Sequence, residues 1–509
     1  MNLLSILAPV PIIWLIVELL FFGRNESTLK ACVRTLIIAV ILAVVVWKMP
    51  IRDIASACFE GVVMSLWPIS TVIVAAVFLY DICSATGNMQ YISDTLASVS
   101  KDRRVLVLLV VWGFGGFIEG IAGFGTSIAI VTSMLIALDF PPHISAALAL
   151  VSNPISSVFG SLGVQMLTLA QVTKLQASDL AVYSTYVVIP IVFLTPFILV
   201  YITGKAYNIK PIFSGIWGIE IVSAVSFAAS MYFVVKYVNE NLTGVASAIF
   251  SLMAMVLVIA VSSRKRISFR SIKGKKLKKQ LIAWSPFILC VLFLTVTSKL
   301  FLPVNKLLSN VKIAIPISIG EQSTEYVVNL LTTSTLWIFL SAFFGGKLQG
   351  LSTKQCTKIL YSTILRMRKT IVTLMILLSI SRIMTYSGMI KEIAMSLVCL
   401  TGSAYFIAVP FLGTVGAFIT GSATSANVLL GSLQVTAANE LGKTPSLFMA
   451  FSIVGGTIGK MMSPQNIAVG INAAKIVGQE SMMFRELIKW YILYLSVLMG
   501  LSIIANVIS

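Results

Sequence analysis

Runs of about 20 apolar residues follow one another through most of this chain, each long enough to cross the hydrocarbon core of a bilayer as a helix. Of the 509 residues, 58% are hydrophobic and 11% are charged, against roughly 25% charged in soluble proteins. A water-soluble fold built from this composition would have no polar surface to present. The expected fold class is therefore an all-α polytopic membrane protein.

Twelve crossings are expected, at 3–22, 29–47, 61–80, 142–165, 182–203, 216–235, 243–262, 281–302, 327–344, 369–388, 446–470 and 486–507. The chain opens Met1-Asn-Leu-Leu-Ser without a basic stretch, so 3–22 reads as a first membrane helix and not as a cleaved signal. Two further apolar stretches, 104–138 and 404–440, are too long for one crossing and are interrupted by glycine. Both read as re-entrant hairpins. Irregular backbone at that depth is tolerated where it is buried in protein or lines a wet cavity.

The net charge of +19 sits in short loops between apolar runs. That pattern points to topology and anionic lipid headgroups and away from nucleic acid. Segment 264–280 alone carries nine Lys and Arg, which places it in the cytoplasm and both termini outside. On this layout 26 basic residues face inward and 9 outward, with only Arg382 and Lys460 inside crossings. Segments 85–100 and 352–366 read as amphipathic helices along the cytoplasmic face, and 303–326 as the longest extracellular stretch. The hairpins then open from opposite sides, so residues 1–235 and 243–509 form two inverted repeats, with 264–280 a basic cytoplasmic linker.

The repeat is visible in the residues. Gly113-Phe-Gly-Gly-Phe-Ile-Glu119-Gly-Ile-Ala-Gly-Phe-Gly125 returns as Gly413-Thr-Val-Gly-Ala-Phe-Ile-Thr420-Gly-Ser-Ala-Thr-Ser-Ala-Asn427. Gly120 precedes Gly421 by 301 positions and Gly160 precedes Gly459 by 299. Each hairpin is followed by a crossing with breakers: Ser152-Asn153-Pro154 in the first, Gly455-Gly456 and Met462-Ser463-Pro464-Gln465-Asn466 in the second. Paired interrupted segments in two halves of a membrane chain point to a transporter's binding site, where half-helix N-termini favour an anion. Packing kinks are the plainer reading of any single breaker.

Glu119 sits at the first hairpin tip, where a carboxylate costs about 2.5–3.5 kcal/mol on insertion scales. It is the expected proton carrier; the alternative is a structural carboxylate bonded to tip N–H groups. Arg382 could hold a substrate carboxylate, pair with an acidic residue or snorkel. Lys460 could pair with substrate, pair with Glu119 or cap carbonyls. The residues expected around the solute are Gly120, Gly123, Gly125, Asn153, Arg382, Tyr386, Gly421, Ser422, Thr424, Ser425, Asn427, Lys460, Ser463 and Gln465. Asp81 reads as a helix cap and His143 as a boundary residue. Six scattered cysteines and one histidine leave no metal site, and no cofactor is expected.

At these motifs the chain resembles the lactate permease family of bacterial monocarboxylate transporters. The resemblance rests on Phe117–Gly125, Asn153 with Phe159-Gly160, Tyr386-Ser387-Gly388, Phe418–Asn427 and Gly455–Gln465, in order along nearly the whole chain. It implies proton-coupled uptake of L-lactate, D-lactate or glycolate across the plasma membrane, in the hairpin-containing architecture of the ion transporter superfamily. The chain departs from that pattern at Ala423, where an aspartate is usual. It departs again at Thr126-Ser127, in place of a small residue and proline, and at Gly163-Val164-Gln165, in place of Gly-Ile-Pro.

Proton coupling also has an energetic reason. An anion entering a cell held at negative potential works against about 2.3 kcal/mol per 100 mV, and one accompanying proton removes that cost. The expected partners are a small lactate-like anion, a proton and the bilayer, with a homodimer left open. A sodium-coupled carrier of another organic anion is the alternative. A membrane sensor or scaffold without transport is weighed against by the lack of a sizeable soluble domain. An integral membrane enzyme lacks a nucleophile–base set.

Overall fold

A computed structural model describes residues 3–18, 28–97, 99–123, 125–262, 274–297, 301–319, 322–476 and 479–508. Most of the linker 264–280, through residue 273, lies outside the described residues. The first half contains α1 (Leu3–Leu7), α2 (Val10–Val17), α3 (Thr28–Val45), α4 (Ile51–Met64), α5 (Thr71–Ala85), α6 (Asn88–Ala97), α7 (Arg103–Val107), α8 (Gly115–Ile121), α9 (Thr126–Ala137), α10 (Pro142–Ser157), α11 (Gly160–Thr173), α12 (Ala177–Ala206) and α13 (Trp217–Tyr237). The second contains α14 (Thr243–Ser262), α15 (Gly274–Val296), α16 (Leu302–Ser309), strands β1 (Lys312–Ile319) and β2 (Gln322–Asn329), α17 (Ser334–Leu348), α18 (Thr353–Tyr386), α19 (Met389–Thr401), α20 (Tyr405–Thr420), α21 (Ala423–Glu440), α22 (Pro445–Met462), α23 (Pro464–Ala474) and α24 (Glu480–Ile508).

The chain is polytopic and helical. Among the described residues 8 helical stretches are long and apolar enough to cross a membrane, or 10 if each of two bent pairs counts as one. Two of the eight, Arg103–Ile121 and Met389–Thr420, belong to or run into the stretches read as re-entrant. The expected crossings at 3–22 and 327–344 correspond to shorter apolar helices, Leu4–Leu15 and Ser334–Leu348.

Several boundaries differ from expectation for identifiable reasons. The crossing expected at 61–80 begins ten residues earlier, at Ile51, and is kinked at Trp67 (φ −130°, ψ 126°) ahead of Pro68. The amphipathic segment 352–366 and the crossing 369–388 are one helix, α18, of 34 residues and about 51 Å. A capping box between Ser352 and Gln355 starts it, no Gly or Pro interrupts it, and Gly388 in the left-handed region (φ +91°) ends the run. Within 303–326 the chain forms α16 and most of an antiparallel β-hairpin, registered Lys312↔Asn329 through Ile319↔Gln322. Alternating Ile313, Ile315 and Ile317 suit a pleated strand, and the hairpin packs on α4.

The breaks also move. The helix expected to break at Ser152-Asn153-Pro154 runs through Pro154 and breaks about two turns later, at Ser161, Leu162 and Gly163, all with positive φ. The two parts meet at 46°. In the second half the break is at Ser463 (φ −63°, ψ 139°), with a 45° bend between α22 and α23. Gly455 and Gly456, expected to unwind the chain, stay helical. A Cβ on Gly455 or Gly459 would press into the carbonyls of Pro410 or Thr414, and one on Gly413 into that of Ser452. These glycines let α20 and α22 meet backbone to backbone, as small residues do where lipid gives no hydrophobic drive. Thr414 Oγ1 seals the contact on Gly455 O at 2.9 Å.

Candidate functional site

Two helix–break–helix units carry the tips. In the first, α8 ends at Ile121 and α9 begins at Thr126. Gly123 (φ +56°) makes the turn, and a Cβ there would overlap Ser161 Oγ. Ser161 Oγ donates to Ala122 O at 3.1 Å, tying this tip to the break after α10. At the base, Arg103 Nη1 donates to the carbonyls of Leu138 (3.2 Å) and Asp139 (3.0 Å), so the unit leaves near where it began. In the second unit, Gly421 (φ +69°) joins α20 to α21, and a Cβ there would meet the Gln465 side chain. Its arms are also joined near the base, by Tyr405 OH donating to Gln434 Oε1 at 3.2 Å.

The tips and breaks surround one cavity of about 210 Å³, room for about seven water-sized volumes. Its wall carries Glu119, Ser157, Ser161, Gln165, Ser422, Thr424, Lys460, Gln465 and Asn466, with Met367 and Thr370 of α18 on one side. Two helices start there. Ser422 caps α21 by accepting from Ser425 N (3.2 Å), and Ser463 caps α23 by accepting from Asn466 N (3.3 Å). The partial positive charge of those N-termini favours an anion in the cavity.

At the wall lies a buried ion pair. Lys460 Nζ is 2.7 Å from Glu119 Oε1 and donates to Ser157 Oγ at 2.9 Å. Ser157 Oγ lies 2.7 Å from Glu119 Oε1 and 3.0 Å from Asn153 Oδ1. Ser127 Oγ donates to Glu119 Oε2 at 2.6 Å and accepts from Asn153 Nδ2 at 3.0 Å. Glu119 is 1% exposed and Lys460 7%. The pair bridges the two halves of the chain, and each oxygen of the carboxylate has a hydroxyl partner. Such a network is costly to half-complete, because an unpaired charge there has no water to turn to.

Of the residues expected around the solute, Gly123, Gly421, Ser422, Thr424, Lys460 and Gln465 line the cavity, as does Glu119, the expected proton carrier. Asn153 and Ser463 stand behind it, holding Ser127 and Asn466. Gly120 packs on the backbone of Gly244 and Val245, and Gly125 faces Asn466 and Val469. Ser425 serves as the partner of the Ser422 cap, and Asn427 accepts from Ser452 Oγ at 3.0 Å. Arg382 and Tyr386 are not on the wall. The Arg382 guanidinium donates to Gln171 O (2.7 Å) and Val172 O (3.2 Å) at the end of α11, with Glu60 Oε1 at 3.8 Å from Nε. Asp81, expected as a cap, pairs with Arg366 and accepts from Thr363. Ser157 and Ser161 were not anticipated; Gln165 was noted only as a departure from the family pattern and Asn466 only as part of the second breaker motif. Ser157 had a signal, since it lies one turn from Asn153 on the same helix face. No group of three or more metal-ligating side chains exists among the described residues.

A model of the L-lactate permease family matches residues 4–508. The chain belongs to that family. It is 39% identical over 441 residues to the L-lactate permease of Streptococcus iniae, covering 87% of this chain and 92% of that one. It is 30% identical over 537 residues to a glycolate permease of Escherichia coli K12, covering 98% and 95%. The L-lactate permease of Bacillus subtilis is 31% identical over 534 residues, covering 96% and 93%. Among solved structures, the Neisseria gonorrhoeae efflux pump MtrF is similar at a TM-score of 0.47 and 14% identity, covering 87% of this chain and 82% of that one. Family membership makes this permease a secondary transporter, not an enzyme, and a multi-pass protein of the bacterial plasma membrane.

Proposed function

We propose that this permease couples the inward movement of one lactate- or glycolate-like 2-hydroxy monocarboxylate to one proton, with Glu119 as the proton carrier and Lys460 as the ligand of the substrate carboxylate. The observation that carries the reading is the 2.7 Å contact between Lys460 Nζ and Glu119 Oε1 on the cavity wall.

The coupling follows from counting charge. In the empty site the carboxylate and the ammonium sum to zero. A substrate anion competes with Glu119 for Lys460, and bound alone it leaves the site at minus one. A proton bound alone leaves it at plus one. When Glu119 takes the proton and Lys460 turns to the substrate, the sum is zero again. An uncompensated charge in a buried site costs several kcal/mol, so only the empty and the fully loaded forms pass through the occluded state. Ser127 and Ser157 steady Glu119 in both forms, since a hydroxyl accepts from a carboxylic acid as readily as it donates to a carboxylate.

The architecture read from the sequence fits this cycle: two re-entrant hairpins entering from opposite faces, termini outside, and segment 264–280 in the cytoplasm. Support comes from the arms joined at their bases and from a matching pair of contacts. Ser127 bonds Asn153 between α9 and α10, and Asn427 bonds Ser452 between α21 and α22. Asn427 follows Ser127 by 300 positions and Ser452 follows Asn153 by 299.

Purified protein in liposomes tests the proposal. An imposed pH gradient, with the membrane potential clamped at zero, is expected to drive lactate and glycolate accumulation at one proton per anion, unchanged by sodium. Accumulation driven by a sodium gradient and indifferent to pH would refute it.

A further inference from the structure

We propose that the Gln165 carboxamide reads the oxygen on the second carbon of the transported acid. The inference rests on the reading of this cavity as the monocarboxylate site. Gln165 follows the left-handed run Ser161-Leu162-Gly163, at the point where α11 regains helical backbone. It is 3% exposed and lies on the cavity wall. Its Nε2 has no hydrogen-bond partner.

Neighbouring polar groups on the wall are already engaged. Glu119, Lys460 and Ser157 bond to one another. Ser161 bonds Ala122 O, Ser422 holds its cap, and Asn466 Nδ2 reaches Gly421 O, Lys460 O and Ser463 Oγ. Gln165 Nε2 is the donor on this wall that is buried and unpaired. A buried N–H without an acceptor is unfavourable, so the acceptor it is built for comes from the cavity's occupant.

Chemistry selects which atom. A carboxylate goes to the ammonium, because a charged donor makes the stronger bond. A neutral carboxamide is then left for a neutral acceptor close to that carboxylate. A 2-hydroxyl or 2-oxo oxygen qualifies, and an unsubstituted acid has nothing to offer. A site built to bond a substrate oxygen rejects the analogue lacking it, because its own group is stranded.

Uptake of lactate and propionate by wild-type protein and by Gln165→Met in liposomes tests this; methionine keeps the length and loses the donor. Wild type is expected to favour lactate over propionate by about tenfold or more in kcat/KM. Gln165→Met is expected to lose about tenfold on lactate, mainly through KM, with propionate carried as well as by wild type or better, since no amide is left stranded. An equal lactate-to-propionate ratio in the two proteins overturns the assignment, as does a wild type that carries both acids equally. A wild type that carries neither overturns the reading of the cavity and the assignment with it. If Gln165→Met carries neither acid, Gln165→Asn decides. It is expected to weaken lactate alone, and an unchanged ratio overturns the proposal.

Discussion

Replacing Glu119 with glutamine separates exchange from net uptake. In Glu119→Gln the loaded site, with Lys460 paired to lactate, has the same net charge as in wild type. The empty site does not, because the ammonium, 7% exposed, has lost the one carboxylate within ion-pairing distance among the described residues. Breaking one side of a buried ion pair costs about 3–5 kcal/mol, which corresponds to roughly 10²–10⁴ in the rate of empty return. Counterflow needs only loaded crossings and is expected to stay near the wild-type rate. Net uptake needs the empty return and is expected to fall by that factor. What uptake remains gains a voltage dependence: an inside-negative potential opposes outward movement of the positive empty site, by up to about 2.3 kcal/mol per 100 mV. The assay compares radiolabelled lactate counterflow with pH-driven net uptake in the same proteoliposomes, at two clamped potentials. Net uptake at the wild-type rate would refute the charge argument. So would counterflow and net uptake falling together in a variant that keeps the wild-type melting temperature.

Further outcomes follow from other contacts. Arg382→Met is expected to lower thermal stability by about 3–5 kcal/mol, because Glu60 loses its partner and the Gln171 and Val172 carbonyls their donor. The KM of correctly folded protein is expected to stay unchanged, and a raised KM would return Arg382 to the substrate. Gly459→Ala is expected to cost about 1–3 kcal/mol through backbone overlap with Thr414, read as a lower Tm in detergent. Burial pushes the Asp102 carboxyl up, but hydrogen bonds from the Arg104 side chain and backbone outweigh it and hold the group below its usual value. Its stabilisation is therefore present at neutral pH and lost as pH falls below about 4. Asp102→Ala is expected to lower Tm at pH 7, with a gap from wild type that closes in acid.

The membrane class and the paired Gly-rich tips were legible because apolar runs and glycines act locally: hydropathy needs no partner, and a left-handed turn such as Gly421 needs a glycine wherever it sits. Glu119 and Lys460 were legible as individuals, since each is a charge in an apolar run. Their pairing stood as one of three options for Lys460, because 341 residues separate them and only the fold brings them together. Arg382 shows the limit of the same signal. A buried guanidinium announces that it needs acceptors but not which ones, and the carbonyls of α11 supply them. Pro154 misled about the break because a proline constrains the turn before it, while left-handed backbone at Ser161–Gly163 was what bent the helix. Gln165 stood out in the sequence only as a departure from the family pattern, without a role; its place on the wall and its missing partner come from the fold.

The glycine seam between α20 and α22 limits how this permease can move. Helices in backbone contact, pinned by Thr414 on Gly455, cannot slide or splay without leaving carbonyls facing empty space. The second tip and the second broken segment must therefore travel as a single slab, carrying Lys460 with them. Whatever gap opens to let a solute in or out has to form along the slab's outer borders, and reagents that wedge those borders would arrest the cycle while leaving the seam intact.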